Sequence, residues 1–328
     1  MSTSDTVPRA PSAGPPAGVP RAVPARPPRR TWRTSLRRDW QLYSLAAGPM
    51  AFFLLFRYVP MIGNVIAFRK FRPGGNILGE RWVGLKYFRL FLTDPSFWHI
   101  FTNTVVLGAS TLLVCFPLPI VLALLLNELT STRIKRFVQS VSYLPHFLSI
   151  VIVAGLIIQQ FSLDGTANQI VKAFGGTAVP FMQRPEWYRF IYVSSEAWQT
   201  VGWGTILYLA ALTTIDNDLY EAARIDGANR WQQTWHITLP GIRPTMMTLL
   251  ILNSGTFLAV GFEKILLTYN PLTYPTADVI STYLFRVGLL SNSFSYAAAI
   301  GLFESVIGLL LVFATNAASR RTVGASLW

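Results

Sequence analysis

Six long apolar stretches limit what this chain can fold into. Each contains about 20 or more mostly apolar residues, enough for a helix to cross the hydrocarbon core of a membrane. Charged residues make up only 13% of the chain, against roughly 25% in soluble domains, so a soluble fold could not cover its surface. The sequence therefore predicts an all-α integral membrane protein with six transmembrane helices, at about residues 42–67, 101–127, 138–160, 189–213, 244–268 and 296–316.

The first 40 residues have a different composition from the rest. They contain eight prolines and eight arginines, and such a segment cannot bury enough apolar surface to offset the entropy of ordering it. We therefore expect a disordered Pro/Arg-rich cytoplasmic tail over residues 1–40 and a six-span transmembrane domain over residues 41–328. About half of the net charge of +13 lies in this tail. No basic stripe with interleaved aromatic residues indicates a nucleic-acid partner.

The distribution of basic residues predicts the orientation in the membrane. With both termini in the cytoplasm, the inner segments hold sixteen lysines and arginines and the outer segments hold nine, so the positive-inside rule favours this arrangement. The basic loop 68–100 then lies outside, against the rule. Trp82, Leu85, Phe88 and Phe91 recur in that loop at helical spacing, which indicates a helix lying along the membrane surface.

One cytoplasmic loop, residues 215–243, has the pattern of two short helices joined by a glycine. Asp216 is expected to cap the first helix, and Gly227 to adopt the left-handed conformation that ends it. The second helix is predicted from about Asn229 to Thr238, because Pro240 prevents its continuation. On composition alone, this loop would be a plain connection between the fourth and fifth spans.

The second half of this loop carries two tryptophans. Trp231 and Trp235 are four residues apart, so they lie on one face of a helix. We expect them to anchor the loop against the membrane helices of the same chain.

Glu221, Ala222 and Ala223 are followed after three residues by Gly227, and after nine more by Ile237, Leu239 and Pro240. This spacing resembles the EAA signature of bacterial binding-protein-dependent ABC importer permeases. Short segments elsewhere, WVGL at 82–85, SYLPHF at 142–147 and TADVI at 276–280, are similar to the saccharide branch of that family. More narrowly, they are similar to permeases of the polysaccharide or lipoprotein type. The resemblance covers the chain from about residue 39 and implies an ATPase-coupling role for Glu221, Ala222, Ala223, Asp226, Gly227, Ile237, Leu239 and Pro240.

The resemblance implies a type I ABC importer permease fold in a bacterial plasma membrane. It also implies a heterodimer with a second permease subunit, two cytoplasmic ATP-binding cassette subunits and an extracytoplasmic solute-binding protein. The expected function is import of a carbohydrate, an oligosaccharide, coupled to the ATPases through the EAA loop. Such a subunit is not itself an enzyme, and no catalytic residue, metal or cofactor is expected.

The lysines of the chain bear on its source of energy. A phosphate-binding Walker A loop needs glycine directly before lysine, and none of the five lysines follows a glycine. This chain therefore lacks that motif, and the energy for transport must come from a partner ATPase or from an ion gradient.

Few ionisable residues lie within the predicted spans, and each is expected to face protein or a water-filled cavity. Glu196 and Glu304 have two interpretations. Either they hydrogen-bond the substrate or carry protons, or each pairs with a side chain of a neighbouring helix. His146 follows Pro145 and is expected to bond a carbonyl freed by a kink at that proline. These ionisable residues include Arg57, His146, Glu196, Glu263, Lys264 and Glu304.

Carbohydrates are bound by aromatic faces together with amides and carboxylates that match their hydroxyl groups. Residues of this chemistry cluster in and after the fourth and fifth spans, although aromatic belts and helix–helix hydrogen bonds use the same residue types. The substrate-path candidates are Glu196, Trp198, Gln199, Trp203, Tyr208, Asn253, Tyr269 and Asn270.

Two other classes of membrane protein are alternatives. An ion-coupled secondary sugar transporter would need paired intramembrane carboxylates and broken helices in matched repeats, and these are not evident. A membrane-embedded transferase would need a convergent acid, base or metal cluster. Three isolated histidines do not supply one.

Because the tail lies outside the resemblance, we predict that it is dispensable. Deletion of residues 2–30 should leave transport unchanged, as measured by substrate uptake in cells that contain equal amounts of the two forms in the membrane. Loss of uptake by the shortened chain would contradict this prediction.

Overall fold

A computed structural model describes residues 40–323, with side chains described to residue 321. Apart from Trp40, the tail predicted over residues 1–40 lies outside the described residues. The chain divides after Pro60 into two compact units, and each is described by itself.

The described part of the first unit is one helical stretch. Helix α1 (Trp40–Phe53) runs into a π-helical turn (Leu54–Tyr58), and its side chains are exposed in this chain. The N–H of Val59 donates to the carbonyl of Leu54, five residues back. The turn thus places a wider hydrogen-bond ring directly before Pro60, which has no N–H to contribute.

The second unit is almost wholly helical, and α2 (Val59–Ile62) crosses its boundary. A short antiparallel ribbon pairs β1 (Arg69–Lys70) with β2 (Arg81–Trp82). The helices that follow are α3 (Lys86–Leu92), α4 (Phe97–Cys115), α5 (Pro117–Glu128), α6 (Thr132–Tyr143), α7 (Ile150–Gln160), α8 (Thr166–Ala173), α9 (Pro185–Leu212), α10 (Asn217–Ile225), α11 (Arg230–Gln233), α12 (Leu239–Gly255), α13 (Phe262–Thr268), α14 (Tyr274–Ala277), α15 (Ile280–Phe285) and α16 (Phe294–Val323).

Shorter turns complete the second unit. They are 3₁₀ turns at Gly63–Phe68, Leu144–Phe147 and Phe181–Gln183, and π turns at Thr234–Thr238 and Arg286–Leu290.

Helix α9 lies at the centre of the second unit, where it packs against α4, α5, α6, α12 and α14. Its contact with α6 is very close, because a Cβ added at Gly202 would lie 2.0 Å from the carbonyl oxygen of Ser142. Near its C-terminal end, Tyr208 and Leu212 join Ile120 and Ile242 in one buried cluster. Helix α9 therefore connects the elements that carry the site described below.

Three helical stretches of the described residues are long and apolar enough to cross a membrane: Trp40–Phe68, Phe97–Glu128 and Phe294–Arg321. A fourth results if Thr132–Phe147 and Ile150–Gln160 form one span, bent by 101°. The kink predicted at Pro145 lies in this bend. The prediction of a helical membrane protein is confirmed, whereas the number of six spans is not established by these criteria.

The fifth predicted span, 244–268, was wrong as a single helix. Helix α12 ends at Gly255, and α13 begins only at Phe262. The break lies against α4, where Gly108 lacks the Cβ that would come 2.5 Å from the carbonyl oxygen of Phe257. Irregular backbone at membrane depth is tolerated where protein buries it or where it lines a cavity.

The predicted surface helix in the loop 68–100 begins later than the spacing suggested. Trp82 lies in β2, and α3 starts at Lys86 after Gly84, whose φ of +59° turns the chain. Phe91 is buried against Phe97 and Tyr283. This helix therefore packs one aromatic side chain into the core of the second unit.

The contact of α9 with α6 generates a stability prediction. Gly202→Ala should lower the apparent melting temperature of the detergent-solubilised protein, because the added methyl group overlaps backbone; overpacking of this kind costs about 1–3 kcal/mol. Gly155→Ala in α7 is the matched control, since nothing lies within 4 Å of a Cβ added there. Equal melting temperatures for the two variants would contradict the close contact.

Candidate coupling hairpin and membrane cavity

The loop 215–243 forms a helical hairpin, and its first half agrees with the sequence prediction. Asp216 Oδ1 accepts from the N–H of Asp218 at 3.1 Å and so caps α10. Gly227 has a φ of +80°, and the N–H of Ala228 donates to the carbonyl of Ala223 at 2.8 Å. This is the left-handed helix end that glycine permits without strain.

The predicted end of the second helix was wrong. Helix α11 begins after Asn229, whose side chain and that of Gln232 form a reciprocal capping box. The helical path then continues through the π turn Thr234–Thr238 into α12, past Pro240. Because the N–H of Leu239 bonds five residues back to Thr234, the widened turn accommodates the proline instead of ending the helix.

The residues of the signature divide into an exposed group and an anchored group. Glu221, Ala222 and Asp226 are exposed, and so is Ile225, which is 88% exposed. Sequence reasoning missed Ile225, although an isoleucine at the end of a short polar helix was a signal for a contact surface. The hairpin thus presents a small apolar and acidic face that is left uncovered by residues 40–321, whose side chains the structure describes.

The anchored group holds the hairpin to the rest of the second unit. Leu239 packs on the cluster around Ile242, while Ile237 is half-buried and Pro240 is exposed. The Tyr220 hydroxyl lies 3.0 Å from Thr238 Oγ1, which joins the two arms of the hairpin. The free end of the hairpin therefore projects from a fixed base.

The two tryptophans do not anchor the hairpin, and that prediction was wrong. Trp231 is 69% exposed and Trp235 is 53% exposed. Their rings contact each other edge to face at 5.8 Å. The π turn begins between these two positions, so a plain helical spacing did not predict their direction.

A polar groove of about 870 Å³ lies between the hairpin and the end of α5. Glu128 and Thr130 line one side, and Tyr220, Glu221 and Arg224 line the other. Arg230 donates to Glu128 across it at 3.0 Å. The groove and the exposed residues Glu221, Ala222 and Ile225 of α10 lie on the same hairpin.

A second cavity, of about 400 Å³, lies among α4, α5, α9, α12 and the break at 256–261. Four of the predicted substrate-path residues line it: Glu196, Trp203, Tyr208 and Asn253. Thr200 also lines it and was missed, although it lies one helical turn from Glu196. The break itself supplies Thr256, Phe257, Ala259, Val260 and Gly261.

One wall of this cavity is a stack of two rings. The His146 ring lies parallel to Trp203, with ring centroids 4.6 Å apart and an interplanar angle of 5°. The predicted hydrogen bond from His146 to a freed carbonyl is wrong, since the ring packs face to face with the indole. Flat aromatic surfaces of this kind suit the apolar faces of sugar rings.

Glu196 is charge-compensated. Its Oε2 lies 2.5 Å from Nζ of Lys264, which is 2% exposed, whereas Glu196 is 25% exposed. The ammonium also lies 5.8 Å from the centroid of the Tyr192 ring. The Lys264 side chain turns inward to meet this carboxylate, so this charge faces protein as expected within a membrane span.

The other four predicted residues lie away from the cavity. Trp198 lines a separate shallow groove with Leu118 and Val141, and Gln199 is half-buried outside both. Tyr269 stacks on Tyr274 at 4.9 Å, and partial burial raises the pKa of its hydroxyl to about 12. Asn270 donates to the carbonyl of Met182 at 2.7 Å, a structural role.

Three further ionisable residues of the predicted spans also lie elsewhere. Glu263 is exposed, Glu304 is half-buried in α16, and Arg57 is exposed in the first unit. None of them lines the 400 Å³ cavity.

Comparison with known proteins places the chain in a family. Residues 115–324 match the family described as "binding-protein-dependent transport system inner membrane component". The chain belongs to this family. It is therefore an inner membrane component of a binding-protein-dependent transporter, as the signature predicted, and an ion-coupled carrier is not favoured.

Relatives of known name support the same assignment. The chain is 42% identical to protein LplB of Bacillus subtilis (strain 168), over 87% of this chain and 90% of that protein. It is 44% identical to the polygalacturonan/rhamnogalacturonan transport system permease protein YteP of the same organism, over 85% and 88%.

A solved structure also has the same fold. It is that of a bacterial alginate ABC transporter in complex with an alginate pentasaccharide-bound periplasmic protein. The TM-score is 0.82 at 42% identity, and the match covers 90% of this chain and 99% of that one. Together these matches give the chain the fold of a type I ABC importer permease.

The ion pair in the cavity generates the next prediction. Lys264→Met should lower the stability of the solubilised protein by about 1–3 kcal/mol, below the range for a fully buried pair because Glu196 is partly solvated. Adding Glu196→Gln to the same chain should restore most of the loss, since no unpaired charge then remains. The apparent melting temperatures of the unaltered chain, the two single variants and the double variant give the coupling energy between Lys264 and Glu196. Losses of stability that simply add would contradict the pairing.

Proposed function

We propose that this chain is the permease subunit of an ATP-driven ABC importer that moves a carbohydrate, an oligosaccharide, into the cytoplasm. The observation that carries the proposal is its likeness, at 42–44% identity over most of its length, to proteins named for transport of alginate and of polygalacturonan. The cavity with its stacked rings, carboxylate and amide has the chemistry that sugar binding requires.

The proposed topology has six membrane spans with both termini in the cytoplasm. Helical segments occupy each of the six predicted stretches, although the third is bent and the fifth is broken between α12 and α13. The excess of basic residues in the inner segments supports the orientation. On this topology the hairpin 215–243 lies on the cytoplasmic side.

The hairpin is proposed to couple this chain to a partner ATPase. Its free end exposes Glu221, Ala222 and Ile225, while Leu239 anchors its base in the core of the second unit. An exposed end on a fixed base suits an element that transmits movement from one protein to another. Coupling of this kind needs two conformations with different contacts and no catalytic residue.

The remaining partners follow from the class of transporter. We propose a second permease subunit that completes the path as a heterodimer, two ATP-binding cassette subunits and an extracytoplasmic solute-binding protein. A periplasmic protein bound to a pentasaccharide is part of the alginate transporter complex, which supports the last of these. The cavity of about 400 Å³ is proposed as this subunit's part of the substrate path.

The coupling role can be tested by two substitutions in the hairpin. Glu221→Lys reverses a charge on the exposed face, and Gly227→Pro is incompatible with a φ of +80° because proline fixes φ near −65°. Both variants should stay in the membrane but lose co-purification of the ATPase in mild detergent, and substrate uptake should fall at least about tenfold, the factor that corresponds to about 1.4 kcal/mol of coupling.

Gly227→Asn is the matched control, because asparagine tolerates the left-handed conformation and no atom lies within 4 Å of its Cβ. This variant should retain both the ATPase and uptake. Persistent uptake by Glu221→Lys and Gly227→Pro would show that the hairpin is not the coupling element. Failure of the unaltered chain to bring down any ATPase would refute the importer itself.

A further inference from the structure

Few charged groups face the 400 Å³ cavity. Among its lining residues in the described part of the chain, none is a lysine or an arginine, and the ionisable groups other than tyrosine and cysteine are Glu196 and His146. Lys264 does not line the cavity. It lies behind the wall, 2% exposed, with its ammonium directed at Glu196 Oε2.

The Glu196–Lys264 ion pair therefore exposes its carboxylate to the cavity, whereas its ammonium group is buried behind the wall. Lys264 Nζ holds Oε2 at 2.5 Å, and the buried Tyr192 ring lies beside the ammonium at 5.8 Å. Glu196 Oε1 has no hydrogen-bond partner among the described residues. A carboxylate oxygen accepts and cannot donate, so the group suited to this free oxygen is a hydroxyl.

We infer that this subunit's cavity selects uncharged saccharide units and that Glu196 determines the selection. Lys264 compensates one oxygen of the Glu196 carboxylate from behind the wall, and the other oxygen accepts a hydrogen bond from a sugar hydroxyl. The inference rests on the proposed function and narrows its substrate class. A uronate unit would bring a second carboxylate to a wall that offers no guanidinium or ammonium to bind it.

This selection of neutral units differs from the substrates that the names of the chain's relatives suggest. Alginate is an acidic polysaccharide, and polygalacturonan is a polymer of a uronic acid. A uronate carboxylate that enters this partly dehydrated cavity loses water without gaining a cationic partner, which is costly. Neutral units avoid this cost and still offer hydroxyls to Glu196 and Asn253 and ring faces to Trp203, all of which line the cavity.

The test compares two pentasaccharides that differ only in charge. One is pentagalacturonate, and the other is the same molecule with its carboxylates reduced to primary alcohols. Each is titrated into the full chain, purified with its co-purifying subunits in lipid nanodiscs without the binding protein. We expect the unaltered chain to bind the reduced pentamer at least roughly tenfold more tightly.

Glu196→Gln leaves the Lys264 ammonium uncompensated beside the cavity, so it should shift the affinity ratio at least roughly tenfold towards pentagalacturonate. Glu196→Gln with Lys264→Met removes both charges and should reverse most of that shift. Glu263→Gln is the matched control, because it makes the same change at an exposed carboxylate that does not line the cavity, and it should leave the ratio unchanged.

Equal or tighter binding of pentagalacturonate by the unaltered chain would overturn the inference, and so would a ratio that Glu196→Gln does not move. Binding of neither pentamer would overturn the cavity as a saccharide site. None of these results contradicts the proposed importer function if substrate uptake and ATPase co-purification persist. Failure of this inference can therefore be distinguished from failure of the proposed function.

Discussion

Backbone hydrogen bonding without water is the constraint on which the rest of this structure depends. In hydrocarbon every N–H and C=O must find a partner within the protein, and this chain breaks its helices repeatedly. Buried side chains supply such partners for the irregular backbone around the junction of α14 and α15, outside the predicted spans: Asn103 donates to the carbonyls of Pro275 and Asp278, and Thr104 Oγ1 accepts from the N–H of Ile280. These polar residues of α4 are buried because the irregular segment needs them.

The same constraint explains the cavity. The break at 256–261 leaves backbone groups that no α-helix satisfies, and turn-like bonds such as that from the N–H of Ala259 to the carbonyl of Thr256 satisfy only part of them. Backbone of this kind persists at membrane depth where it faces a cavity or buried protein. The interruption therefore both forms a wall of the cavity and brings Lys264, on the helix that follows, to Glu196 on α9.

The sequence was most informative where a local rule decided the outcome. Helix α9 runs from Pro185 to Leu212 where 189–213 was predicted, and Asp216 and Gly227 cap the hairpin helix as their residue types require. It was least informative where two rules competed. Pro240 ends an ordinary α-helix, but a preceding π turn removes the conflict, and whether a chain forms that turn depends on packing that no local pattern contains. Trp198 and Trp203 are the same residue type on the same helix, and only the packing of α9 decides which of them faces the cavity.

The corrected course of the hairpin changes how coupling would work. Had the second helix stopped at Pro240, the hairpin would be joined to the membrane helices by a flexible connection. Instead, residues 230–255 form one helical path, roughly 40 Å long at 1.5 Å per residue. It begins at Arg230 in the polar groove beside the hairpin, passes the buried cluster at Ile242 and reaches Asn253 in the cavity wall. A displacement imposed at the groove would therefore reach the cavity through continuous helix, with the π turn at 234–238 as the place where that helix can yield.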